Sequence, residues 1–229
     1  GFREAGFTFD ALMSQGNFGN MCDTENFGDP VVLYDTFEDR WILTDFAFQL
    51  DGSDNVFPEE AYQCFAVPKT GNPLTGGWNF YSIETLGGLG DYPKFGIWPD
   101  GLYMTTSMFD YAASGGFQNP RVYAFNKAQM YAGAATVHVV SFDGPASDFT
   151  ILPANARLQT GTPPAGAPNY YVSSWQFLNG LTVYKFHVDW TSISLSTFTG
   201  PDVPLAATSW PNANVDNAPQ PGTAMTLDT

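Results

Sequence analysis

The chain has 229 residues, enough for one large all-β domain or two small ones with a sizeable core. Its formal charge of −15 and its lack of any long apolar run argue against binding to nucleic acid, adsorption to anionic lipid and insertion into a membrane. Glycine or proline interrupts every stretch with helical spacing of apolar residues, so we expect strands rather than helices. Because the chain begins with Gly1 rather than Met, we expect a processed N-terminus.

The first group of predicted strands follows an N-terminal segment, 1–28. We expect this segment to contribute at most one strand, which would close the propeller ring. Apolar and β-branched residues alternate in short runs separated by turn residues, which is typical of strands. The runs cover 31–34, 41–48, 62–67 and 78–83.

The same order recurs twice along the chain. In DYPKFGIWPDGLYMTTSMF (91–109), two apolar runs flank Pro99-Asp100-Gly101, whose composition predicts a tight turn. The second group continues at 121–125 and 137–142, with one helical turn at 126–130 between them. A third group covers 150–152, 169–175, 181–188 and 196–203.

Four antiparallel strands repeated about every 60 residues predict β-propeller blades with long loops. An evenly spaced β-sandwich is the alternative, but it does not require the same inner hairpin to recur. We therefore expect blades at 29–86, 87–144 and 145–206, and a linker with the start of a further blade at 207–229. A closed propeller ring needs at least about four blades, and this chain supplies three. We therefore expect the missing blades to come from a C-terminal remainder of the precursor or from further copies of the chain.

The two cysteines, Cys22 and Cys64, are too far apart in sequence for a CxxC redox pair or a zinc knuckle. They are either two buried thiols or one disulfide. The acidic, Asn- and Gly-rich, lysine-poor composition favours the disulfide, and with it an oxidising compartment.

Taken together, several segments resemble a family of large secreted bacterial β-propeller proteins. They are GDPVVLYD (28–35), YQCFAV (62–67), DYPKFGIWPDGLYMT (91–105), PNYYVS (168–173), YKFHVDW (184–190) and TFTGP (197–201). The resemblance implies a secreted or cell-surface propeller of which this chain is an N-terminal portion. It also implies a disulfide, since the family carries cysteines at the positions of Cys22 and Cys64. It identifies no residue as catalytic.

An acid stands at the start of each group of strands: Asp29, Asp91 and Asp148. In a propeller, equivalent residues of successive blades form a ring at the mouth of the channel. Carboxylates converging there are candidates for a Ca²⁺ site, with Asp29 and Asp91 as ligands, or for an acid/base pair acting on a sugar. The alternative is that each Asp accepts hydrogen bonds from backbone N–H groups of its own turn. We expect no required cofactor.

Two further features are weaker candidates for a site. His187 and Asp189 would share one face of a strand, as a base and its orienting acid do, but no nucleophile motif accompanies them, and we favour packing of the histidine on Trp190. Trp98, at its turn, is the aromatic side chain expected to be exposed enough to bind a sugar ring, whereas most aromatics pack between blades.

Two functions follow from these patterns. The first is a secreted binding, adhesion or extracellular-matrix module that uses exposed loops, with glycans as candidate ligands. The second is a polysaccharide hydrolase or lyase with acids at the channel mouth. Few basic residues lie near the strand starts, so an anionic polysaccharide would find little to bind, which favours the first.

Overall fold

In a computed structural model, the chain is described at residues 8–157, 161–175 and 180–206, and at 218–219, 222 and 226–227. The all-β class is confirmed: the described residues form three four-stranded antiparallel sheets with few helices. Sheet 1 comprises β1 (Gly28–Asp35), β2 (Arg40–Ala47), β3 (Tyr62–Pro68) and β4 (Trp78–Glu84). Sheet 2 comprises β5 (Leu89–Trp98), β6 (Gly101–Phe109), β7 (Phe117–Phe125) and β8 (Val139–Asp143). Sheet 3 comprises β9 (Leu152–Pro153), β10 (Asn169–Trp175), β11 (Gly180–His187) and β12 (Thr197–Ala206).

Each of the predicted divisions 29–86, 87–144 and 145–206 holds one of these sheets, apart from Gly28 at the start of β1. Within a sheet, the strands lie side by side in chain order, so neighbouring strands are joined by hairpin connections. A short antiparallel pair, β13 (Ala218–Pro219) and β14 (Thr226–Leu227), lies in the predicted linker. The remaining elements are α1 (Phe9–Met13), α2 (Lys127–Ala132) and 3-10 turns at Ser14–Gly16, Met21–Asp23 and Ile193–Leu195.

Sheet 2 is covered on both faces. Because successive side chains of a strand point to opposite faces, Leu102 and Met104 of β6 enter one apolar cluster while Tyr103 enters another, and all three are fully buried. The first cluster joins sheets 1 and 2 and includes Leu33, Ile42, Phe65, Val67, Ile97 and Phe125. The second joins sheets 2 and 3 and includes Val122, Ala124, Tyr171, Tyr184 and Phe186. The first strands of the sheets follow one another in space, since β1 contacts β5 and β5 contacts β9.

The N-terminal segment covers the other face of sheet 1. Leu12, Met13 and Met21 pack on Ala47 and Ala66, which face away from sheet 2. The predicted disulfide between Cys22 and Cys64 is confirmed, with the two Cα atoms 5.7 Å apart. In its described part the segment forms helical turns here rather than the closing strand that we expected, because its apolar residues are spaced for a short helix and not for a strand.

Both β1 and β5 contain a bulge near their first residues, where two residues of the strand lie opposite one residue of its partner. The ladder skips the dipeptides Asp29–Pro30 and Tyr92–Pro93, whose first residues both have φ +51°. Proline has no N–H to donate, which explains why pairing breaks at the same point in both strands. In this register Asp29 is equivalent to Tyr92, and Asp91 is equivalent to Gly28. The two acids, expected to be equivalent, are therefore offset by one residue.

Candidate functional site

Asp29 and Asp91 lie close together at the starts of β1 and β5. The Asp91 carboxylate accepts the N–H of Tyr92 at 2.6 Å. Burial raises the pKa of Asp91, and the nearby charge of Asp29 raises it further, whereas the bond from Tyr92 opposes the shift. The structure therefore brings together two of the three acids predicted for one ring.

Asp45, in the middle of an apolar strand, adds a third carboxylate to this end of the molecule. Its side chain is 2% exposed and accepts the N–H of Phe46 at 2.9 Å. Burial raises its pKa to about 7, with contributions from the charges of Asp10 in α1 and of Asp29. The sequence signal was a single acid inside the run WILTDFAF, and sequence reasoning missed it.

Among the described residues, we find no group of three or more acidic, histidine or cysteine side chains that could hold a metal ion together. The calcium site with Asp29 and Asp91 as ligands stays a prediction.

Asp148, expected as the third acid of the ring, is instead buried inside sheet 3. Its carboxylate accepts the hydroxyl hydrogens of Tyr184 at 2.6 Å and Thr182 at 3.4 Å. A buried carboxylate is costly unless hydrogen-bonded, and these two residues of β11 satisfy it. Burial and this hydrogen bond raise the pKa of Tyr184. The side chain therefore fastens the segment before β9 to β11 and is buried rather than presented to a ligand at a channel mouth.

Trp98 does not present the exposed ring that we expected. It is 7% exposed, lies in the cluster between sheets 2 and 3, and donates its Nε1–H to the carbonyl of Ala167 at 3.1 Å. Residues 162–167 line a cavity with it. The turn was predicted well, since Trp98 pairs with Gly101 across it, but the burial comes from a segment more than sixty residues later.

His187 and Asp189 do not form the predicted base and orienting acid. β11 ends at His187, so strand alternation no longer places the two side chains on one face. The Asp189 carboxylate accepts the N–H groups of Thr191 and Ser192, both at 2.9 Å, and so closes its own turn. The Trp190 indole N–H donates to the carbonyl of Asp100 at 2.7 Å.

A buried ion pair that sequence reasoning missed joins sheet 1 to α2. The Lys127 ammonium lies 2.7 Å from Asp35 Oδ2, and both side chains are almost completely buried. The Tyr131 hydroxyl donates to the same oxygen at 2.8 Å, and the N–H of Phe37 donates to Oδ1 at 2.8 Å. The pair spans 92 residues of sequence and has no local pattern that would reveal it.

A groove runs along β4, the outermost strand of sheet 1. It consists of an inner cavity of about 320 Å³ and an outer one of about 300 Å³ that share Phe80, Tyr81 and Ala135 in their walls. The inner cavity is lined mainly by apolar residues, among them Phe65, Phe125, Met130, Val137 and Val139. The outer cavity is lined by Gln15, Gly16, Trp78, Asn79, Gly133 and Ala134 besides the shared residues. We call the two together the β4 groove.

Comparisons of the chain with protein-family models, with curated proteins and with solved structures found no match. Within the part of the chain that the structure describes, every helix is too short to cross a membrane. The disulfide is compatible with an oxidising, extracellular setting.

Proposed function

We propose that this chain is a portion of a secreted β-propeller that acts as a binding, adhesion or extracellular-matrix module, with glycans as its ligand class. Three four-stranded sheets stacked in chain order, with their first strands adjacent, support the propeller arrangement. The Cys22–Cys64 disulfide, which fastens the N-terminal segment to sheet 1, supports secretion.

One observation carries the choice of a binding module over an enzyme. The side chains that were candidates for chemistry mostly hold the scaffold. Asp148 is bonded inside sheet 3, Trp98 is buried, and Asp189 closes its own turn. Polar groups that are already hydrogen-bonded within the scaffold are not free for catalysis, which favours a binding module.

The outward face of sheet 3 is the proposed contact with the rest of the propeller. On β10, Tyr171 packs on sheet 2 and is fully buried, whereas its neighbour Tyr170 is 37% exposed on the opposite face. Leu152 of β9 is 49% exposed. We propose that a further sheet covers this face, from the C-terminal remainder of the precursor or from another copy. A monodisperse, cooperatively melting monomer of 25.0 kDa would contradict this partner.

The function is tested by incubating the purified chain with insoluble and soluble polysaccharides and measuring both retention and product release. We expect retention without release of reducing ends or of unsaturated sugars. Absence of retention on every neutral and anionic polysaccharide would overturn the proposed binding function.

The second candidate is a polysaccharide hydrolase or lyase, and the paired acids Asp29 and Asp91 favour it. A carboxyl group with a raised pKa beside another carboxylate is the arrangement that acid/base catalysis on sugars uses. Product release that disappears in Asp91→Asn but persists in Asp143→Asn, a change at an exposed acid on β8, would establish the enzyme and reject the binding module.

A further inference from the structure

The β4 groove wraps around a free sheet edge. Among the strands that the structure describes, β4 pairs only with β3, so its outer backbone groups have no described partner strand in sheet 1. Strand alternation directs Trp78 and Phe80 towards the N-terminal segment, while Tyr81 and Ile83 point towards sheet 2. The N-terminal segment forms one wall and residues 133–139 form the other. A ligand in the groove therefore meets side chains from both faces of one strand.

The groove is uncharged on a strongly acidic protein. None of the described residues that line its two cavities is charged, although the chain carries a formal charge of −15. A charged ligand would lose hydration there without gaining an ion pair, which is unfavourable. The surrounding negative charge also repels anions. The electrostatics therefore select a neutral ligand.

The lining combines aromatic rings with neutral hydrogen-bonding groups. Trp78 and Phe80 are partly exposed in the outer cavity, beside the amides of Gln15 and Asn79. Rings that offer an apolar face next to amides suit a sugar ring, which has an apolar face and a rim of hydroxyls. The inner cavity continues into apolar surface at Phe65 and Met130, which fits a small apolar substituent such as an acetyl methyl group.

We propose that the β4 groove binds a neutral oligosaccharide, with an N-acetylated sugar as the favoured unit. Trp78 stacks on the sugar ring, and the acetyl group enters the inner cavity. The NH2 groups of Gln15 and Asn79 already donate to the carbonyls of Ala11 and Met130, so their amide oxygens accept from the sugar hydroxyls. This inference rests on the proposed glycan-binding function and assigns it a site and a ligand class.

Isothermal titration of the whole chain with three hexasaccharides tests the proposal. The probes are chitohexaose, which is neutral and N-acetylated, cellohexaose, which is neutral, and an alginate hexamer, which is anionic. We expect chitohexaose to bind most tightly, cellohexaose more weakly, and alginate not measurably. Tightest binding of alginate would overturn the proposal.

Two variants place the site. Trp78→Ala should weaken chitohexaose binding on the order of 10-fold or more, because it removes a central aromatic contact. Since Trp78 also packs on the N-terminal segment, Ala135→Asp provides a second change, at an exposed wall position, that adds a charge without removing core contacts. Trp41→Ala is the matched control, because Trp41 packs on Tyr34 in sheet 1 and does not line the groove.

The outcomes separate the site from the function. Full binding in both Trp78→Ala and Ala135→Asp would overturn the assignment to the groove and leave glycan binding elsewhere intact. No binding of any hexasaccharide, with binding of the uncharged extended peptide acetyl-Thr-Val-Thr-Val-Thr-Val-amide, would overturn the proposal in favour of strand addition at the free edge of β4.

Discussion

Replacing Asp45 by Asn should raise stability at neutral and alkaline pH and leave it less changed in acid. Asp45 is 2% exposed, and burial raises its pKa to about 7 from an ordinary value of 3.8. Between these two pH values the unfolded chain releases a proton that the folded protein keeps. The free energy of unfolding therefore falls by about 1.4 kcal/mol per pH unit as the pH rises, and levels off above about 7.

The size of the effect follows from this linkage. From pH 5 to pH 8 the wild type should lose about 2 to 3 kcal/mol through Asp45 alone. Asparagine keeps the shape and still accepts the N–H of Phe46, but it carries no charge near Asp10 and Asp29. The stability difference between Asp45→Asn and the wild type should therefore grow by the same amount over this pH range.

Urea unfolding followed by tryptophan fluorescence at pH 5, 6, 7 and 8 measures the difference. Asp54→Asn is the control, because Asp54 is exposed in a loop and its φ of +63° is one that asparagine tolerates. A difference for Asp45→Asn that is the same at pH 5 and at pH 8 would refute the argument that burial of this carboxylate opposes folding.

Three further predictions concern the other features of the fold. Reduction of Cys22–Cys64 should lower the free energy of unfolding by about 3 to 4 kcal/mol, and an unchanged melting temperature under reducing conditions would contradict this. Lys127→Met should lower the free energy of unfolding by about 3 to 5 kcal/mol, because it leaves Asp35 buried without its cation. Adding Asp35→Asn should recover part of this loss in a double-mutant cycle, and strictly additive effects would argue against coupling of the two side chains. Calcium bound at the predicted site of Asp29 and Asp91 should raise the melting temperature of the wild type but not of the double variant Asp29→Asn/Asp91→Asn, and an unchanged melting temperature in the wild type would contradict the site.

Local patterns predicted the strands because the physics of a strand is local. Leu102, Tyr103 and Met104 alternate between two clusters, and that alternation needs only apolar side chains on both sides of a buried strand. Likewise Pro99-Asp100-Gly101 predicted its tight turn because each residue type favours the required backbone angles.

The positions of the acidic side chains depend on contacts with residues far away in the sequence. Asp29, Asp91 and Asp148 each lie at or just before the first strand of a sheet, yet only the first two come together. Asp148 is buried because Tyr184, 36 residues later, bonds it across sheet 3. The bulges in β1 and β5 set how Asp29 and Asp91 align, because they make Asp91 equivalent to Gly28 rather than to Asp29. Spacing measured from one Asp to the next in the sequence does not reveal such a bulge.

The two tryptophans Trp98 and Trp78 show why a binding surface should lie at a sheet edge rather than at an inner turn. The ring of Trp98, at a turn, is covered because residues 162–167 pack beside it and the carbonyl of Ala167 accepts its Nε1–H. Trp78 lies on the outermost strand of sheet 1, beside which the described residues place no fifth strand, and the residue stays partly accessible. In this stack of sheets the inner strands lose their surface to neighbouring sheets, whereas the outermost strand β4 has a groove beside its edge. A search for ligand contacts in such a fold should therefore begin with aromatic residues on the fourth strand of each sheet.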